Sequence, residues 1–120
     1  MTTKENPVLK GEILFEKAEA AFSKATARIY LEDVSLADAS AKIVAEQVIS
    51  DVNRKSGSPE SIHFSLSGEL HDRAHYSVRV HIDLKGDGEI HRGDYITMES
   101  YPVLTFGHPD FVRVFVKKVR

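Results

Sequence analysis

The stretch from Tyr76 to Leu84 alternates without a break, with Tyr76, Val78, Val80, Ile82 and Leu84 on one side. Its other side, begun by His75, carries Ser77, Arg79, His81 and Asp83. A strand turns successive side chains to opposite faces, whereas a helix would scatter these apolar residues around its circumference. The segment therefore reads as a strand with one face toward a core and one toward solvent.

The same period recurs along the chain. Leu9 to Phe15 places Leu9, Ile13 and Phe15 on one face with Gly11 between them, and Ala25 to Val34 sets Ala27, Ile29 and Leu31 against Arg28, Tyr30 and Glu32. Ser61 to Leu66 alternates Ile62, Phe64 and Leu66 with His63 and Ser65, and Phe111 to Val119 aligns Val112, Val114 and Val116. Ala41 to Asp51 is ambiguous, since Ile43, Val44 and Val48 also fit a helical stripe that Asp38 or Ser40 would cap. Its β-branched content favours a strand. Glu16 to Phe22 has the composition of a helix and reads as a turn or wide bend between strands.

Turn chemistry divides these segments. Asn53 to Pro59 is a loop, and Lys85-Gly-Asp-Gly-Glu89 reads as a tight hairpin that sends Ile90 to Ser100 back along the central strand. Tyr101-Pro102 belongs at a strand end or edge, because Pro has no N–H for the ladder, and Gly107 to Asp110 turns the chain once more. About seven short strands with hairpin spacing predict an all-β fold, a single-domain antiparallel β-sandwich over residues 8–120 after a disordered segment at 1–7. Leu31 and Val34 are expected in the core, Asp33, Ser35 and Asp38 in a turn, and Tyr101 as a corner residue whose hydroxyl ties down a loop. An inward Gln47 needs partners for its amide, expected from an adjacent loop backbone.

Composition narrows the function classes. The chain has 120 residues, 42% hydrophobic and 28% charged, with a net charge of -2, which fits one soluble domain and gives no electrostatic case for nucleic acid. With no cysteine it has no disulfide, thiolate zinc site or cysteine nucleophile. Arg113, Lys117, Lys118 and Arg120 form a small basic cluster that reads as a solvated edge strand. No stretch approaches a membrane span, and Met1 to Lys10 lacks the apolar core of a secretory signal. The expected setting is cytoplasmic, or periplasm and outer membrane where an upstream signal precedes this sequence.

Six histidines invite a test for metal. If Leu84 faces Ile90 across the hairpin, Asp83 lies opposite His91 with His81 on the diagonal, so that His81, Asp83 and His91 present two imidazoles and a carboxylate suited to an ion such as zinc. The bland alternative is a set of exposed polar residues. His71, Asp72 and His75 span a turn, and a hairpin pairing Leu66 with Tyr76 puts His63 beside Arg79, whose charge repels a cation. No serine sits in a nucleophile elbow, so the chain is not expected to be an enzyme, and no cofactor is implied.

The segments Ile29-Tyr-Leu-Glu-Asp-Val-Ser-Leu-Ala-Asp38 and Ile43-Val-Ala-Glu-Gln47, the Gly-Asp-Gly turn and Tyr101-Pro-Val-Leu-Thr105 together resemble the YbaY/YscW family of small bacterial lipoproteins, over residues 8–119. The resemblance implies a transthyretin-like β-sandwich, a cell-envelope setting and, in the YscW branch, a pilotin role escorting a secretin subunit of type III secretion. Typical members carry a signal peptide ending in a lipid-modified cysteine, which this sequence does not contain. The leading expectation is a non-enzymatic binding or chaperone-like module holding a protein or peptide partner on a sheet face or edge. A homodimer joined through an edge strand and a metal-dependent protein built on the histidines are the competing ones.

Overall fold

The computed structural model describes residues 8–16, 20–36, 39–58 and 60–120. The segment expected to be disordered, 1–7, lies outside the described residues, as do the middle of the Glu16 to Phe22 bend and Asp38 of the expected turn. Eight strands follow one another: β1 (Leu9–Phe15), β2 (Phe22–Asp33), β3 (Lys42–Arg54), β4 (Ile62–Leu66), β5 (Tyr76–Asp83), β6 (Tyr95–Thr97), β7 (Pro102–Val103) and β8 (Phe111–Lys118). The ambiguous Ala41 to Asp51 segment is thus strand, and β3 runs past it into the loop expected from Asn53.

The fold is all-β, but its strands do not divide into the two-sheet sandwich expected from the strand count. One sheet runs β3-β2-β5-β6-β8-β1-β4, with β7 adding to β5, and curls until its ends approach each other as a nearly closed barrel. The decisive strand is β1, which pairs antiparallel with β4 (Leu9 opposite Leu66) and parallel with β8 (Ile13 opposite Val114). That double pairing joins what would otherwise be two sheets. It also breaks the purely antiparallel pattern.

Irregularities in the long β2–β3 ribbon supply the curl. Their pairing slips between Phe22 and Ala25, between Ala25 and Ala27, and between Leu31 and Glu32. Lys24 and Asp51 take positive φ angles of 55° and 56° there. The Asn53 side chain fixes the kink, accepting from the Lys24 N–H at 2.9 Å and donating to the Asp51 carbonyl at 3.0 Å. Such bulges increase local twist and let a sheet roll up.

The alternation identifies the inner wall correctly. Leu9, Ile13, Ala27, Ile29, Leu31, Phe64, Leu66, Val78, Val80, Ile82, Val114 and Val116 are all buried in one cluster. Val34 is not; it lies past the end of β2 and is 41% exposed. Asp33 and Ser35 do form the expected local turn, the Asp33 carboxylate accepting the Ser35 N–H at 2.9 Å.

Three pairing expectations fail, two because the connections cross the barrel and the third because a long loop replaces the tight turn between β5 and β6. The chain from β4 passes to the far side of the sheet, so β5 pairs with β2 (Val80 opposite Ile29), and His63 faces Glu12, not Arg79. β8 is an interior strand between β6 and β1, and two of its three cations meet carboxylates: Arg113 with Glu12 at 2.6 Å, Lys117 with Glu16 at 3.5 Å. The strand returning from β5 starts only at Tyr95, which pairs with Ile82, leaving a long excursion over 84–94. Beyond Thr97 the ladder is broken. Val80 N–H donates to the Thr97 hydroxyl at 3.2 Å and Val78 N–H to the Tyr101 carbonyl at 3.2 Å, before Pro102 opens β7.

Tyr101 ties this broken edge down, although to a strand and not to a loop. Its hydroxyl accepts the Phe115 N–H at 3.0 Å and donates to the Phe115 carbonyl at 3.4 Å. Tyr101→Phe removes both bonds while keeping the ring, and is expected to cost about 1 kcal/mol in urea unfolding. A change below the error of that measurement would assign the anchoring to the ring alone.

Candidate functional site

The outer face of β5 was expected in solvent, yet His81 and Asp83 are 2% and 0% exposed. The 84–94 excursion folds back over them and contributes Asp94, itself 1% exposed. Asp83 organises the glycine turn: one oxygen accepts the Gly86 N–H at 2.8 Å, and the other accepts the Gly88 N–H at 2.7 Å and the Arg28 Nε–H at 3.1 Å. Asp94 closes the far end, accepting from Leu84 N–H at 3.1 Å and His91 N–H at 3.0 Å, with His81 Nε2 at 2.8 Å. Burial alone would raise the Asp83 carboxyl, but the Gly88 amide, Arg28 and the Gly86 amide outweigh it and hold the group below the usual carboxylate range.

The expected metal set is therefore divided. His81 and Asp83 remain together and gain Asp94, while His91 joins Asp87 and Glu89 at the surface; within each set the potential ligand atoms lie within 4.8 Å of one another. His91 Nε2 is 2.7 Å from Asp87, whose carboxyl is held low first by His91 and then by the Glu89 N–H. In the buried set every carboxylate oxygen already accepts a hydrogen bond, and Arg28 supplies the positive charge. These bonds tie the 84–94 loop to the barrel wall.

The two ends of the sheet form a seam. Among the described residues no ladder joins β3 to β4; the Gln47 side chain crosses instead, its Oε1 accepting the Ser65 N–H at 2.9 Å. The inward amide thus finds its partner on a strand backbone, not on a loop. β3 has 13 residues and β4 only 5, so most of one β3 edge lacks a strand beside it. Ile43 and Val48 of β3 are half exposed, at 50% and 48%.

At one mouth of the barrel the rings of Phe15, Phe22 and Tyr95 form a cluster with centroids 5.4–5.7 Å apart, and the Arg54 guanidinium lies 4.5 Å over Phe15. Phe15 and Phe22 end β1 and begin β2, and Tyr95 joins them from a distant strand, a meeting that alternation alone does not reveal. Beside them, Tyr95, Met98 and Val116 line a groove of about 300 Å³ edged by Lys117, Lys118 and Arg120. At the opposite mouth Phe106, 58% exposed, stacks on His75 with centroids 4.2 Å apart. Leu104 and Phe106 hold positive φ angles of 75° and 55° there, an uncommon backbone state for bulky residues.

No helix among the described residues is long and apolar enough to cross a membrane. In sequence, no protein of curated function matches the chain. In structure it is similar to an alternative pilotin from the type II secretion system of Vibrio cholerae, with 27% identity and a TM-score of 0.74 over 93% of this chain and 96% of that one. A family model described as type III secretion system lipoprotein chaperone, YscW, matches residues 4–116. Nearly the whole barrel is thus covered by a single family, and the chain belongs to the YscW family of secretion-system lipoprotein chaperones.

Proposed function

We propose that the protein is a non-enzymatic escort module that holds a segment of a secretion-system protein along the seam between β3 and β4. The carrying observation is the unclosed sheet, crossed among the described residues by the single Gln47 to Ser65 hydrogen bond. An unpartnered strand edge is a template for a further strand, whose backbone bonds give affinity and whose alternate side chains give selectivity. Ile43 and Val48 offer apolar contacts beside that edge.

The family and the similar pilotin support the escort role, and the family resemblance makes a secretin subunit the first candidate partner. Membership among lipoprotein chaperones favours a setting in the cell envelope, periplasm or outer membrane, over the cytoplasmic one. The acid and base groups gathered at His81, Asp83 and Asp94 are spent on holding a loop, which suits binding better than catalysis.

A photoreactive residue at Val48, introduced in the producing cells, is expected to capture one protein partner, and β3 amides are expected to exchange more slowly once that partner is added. Capture of a second copy of the chain, with a dimer by light scattering, would replace this reading by self-association. Unchanged exchange in β3 beside a bound partner would remove the seam from the reading.

A further inference from the structure

We propose that the groove formed by Tyr95, Met98 and Val116 takes an acidic peptide segment bearing an apolar anchor residue. The surface is separate from the seam: in the sheet order β6 has three strands on either side, so it lies across the barrel from the gap between β3 and β4. The inference goes beyond the escort reading and stands whether or not a partner occupies the seam.

The groove has the two halves of a peptide-binding site. Its floor is apolar, and Met98 is 53% exposed above the buried Tyr95 and Val116. Its rim is mainly cationic, Lys117, Lys118 and Arg120 against the one carboxylate of Glu16. Lys117 is engaged by Glu16 at 3.5 Å and Glu99 at 4.0 Å, so it contributes little net charge. Lys118 and Arg120 form no ion pair among the described residues, and neither does Arg92 in the adjoining hollow of about 470 Å³, which shares Tyr95, Lys118 and Arg120 with the groove.

Two unpaired cations, Lys118 and Arg120, thus edge one apolar depression, and a third, Arg92, lines the hollow beside it, in a chain whose net charge is -2. Like charges held together without counter-charges repel one another, and a complementary acidic ligand relieves that repulsion. Exposed apolar floor rimmed by polar groups is the usual anatomy of a docking surface. Concavity selects the ligand class. A bilayer surface reaches the rim but not the floor, whereas one Leu or Phe flanked by Asp or Glu reaches both.

The test uses the intact chain and a short fluorescein-labelled peptide of Glu, Asp, Leu and Phe, read by fluorescence anisotropy. Saturable binding is expected, weakening as salt rises, and weaker by about tenfold or more for the same peptide with Gln and Asn in place of its acids. The double substitution Lys118→Glu with Arg120→Glu is expected to weaken it by at least about tenfold, and Lys118→Gln with Arg120→Gln by less. Both side chains are exposed, so heat unfolding should be unchanged. Met98→Asp should abolish binding by a different route, through the floor.

Equal affinity for the amide peptide, or indifference to both the rim and the floor substitutions, overturns the proposal. So does sedimentation with vesicles containing phosphatidylglycerol that depends on Lys118 and Arg120 while the peptide does not bind. A bulky photoreactive group at Val48 should leave peptide affinity unchanged, which separates failure of the groove from failure of the seam.

Discussion

Asp83→Ala is expected to lower the unfolding free energy by about 3 kcal/mol. The carboxylate is fully buried and is the shared acceptor for Gly86 N–H, Gly88 N–H and Arg28 Nε–H. Its removal strands three donors and takes away the counter-charge of Arg28. Breaking one side of a buried pair costs about 3–5 kcal/mol, and the lower figure applies because the Arg28 side chain is 21% exposed and regains some water. Arg28→Ala should cost less, since Asp83 keeps both amides. Urea unfolding of the two variants gives the order directly, and an Asp83→Ala loss under about 1 kcal/mol would show that the loop clamp is not what holds 84–94 to the wall.

The same carboxylate sets an acid limit. Its folded pKa is depressed, so its contribution is complete above the ordinary aspartate value near 3.9 and is lost as pH falls through the lower folded value. Glu12, Asp33 and Asp87 are depressed as well, Glu12 first by Arg113, Asp33 first by the Ser35 hydroxyl and Asp87 first by His91, and they add to the same window. The difference between wild type and Asp83→Asn isolates the buried group. It should be constant from neutral pH down to about 5 and shrink below about 4, because the substituted chain has no proton to take up at that position.

The inner wall was legible because a core-facing strand writes its burial into every second residue. The sheet's closure was not. A sandwich and a rolled-up sheet impose the same alternation, and the parallel pairing of β1 with β8 joins segments from opposite ends of the chain, with no turn between them to announce it. The outer face of β5 misled for a related reason. His81 and Asp83 are polar, so their positions read as solvent, although a returning loop covers them. One local signal was available: Asp83 precedes Gly86 and Gly88 at the short spacings where an Asp side chain captures backbone N–H groups. The docking surfaces are least visible of all. Tyr95, Val116 and Arg120 share a groove only because β6 and β8 are neighbours.

Gly11→Ala is the other large effect, and it tests how the barrel holds its seam. Gly11 stands in the middle of β1, opposite Phe64 on β4 and Val112 on β8. A methyl group there would run into the Phe64 ring on one side and the Val112 carbonyl on the other, with Phe64 Cε2 at 2.8 Å as well. In an open strand Ala is the better residue by about 0.5–1 kcal/mol, so any loss measures steric conflict. Phe64 is 4% exposed and has little room to turn, and the Val112 oxygen belongs to the backbone, so the ladder itself must shift. The expected net cost is about 2–3 kcal/mol. Adding Phe64→Leu should recover part of it, with a coupling of about 0.5 kcal/mol or more, and the carbonyl contact should account for the remainder. Phe64 adjoins Ser65, whose N–H donates to the Gln47 side chain, so pushing the ring away from β1 displaces the strand that Gln47 reaches for. Amide exchange at Ser65 should therefore accelerate in Gly11→Ala more than exchange in β5 does. Equal acceleration in both strands would mean the barrel loosens as a whole, and the seam would then owe nothing to the glycine.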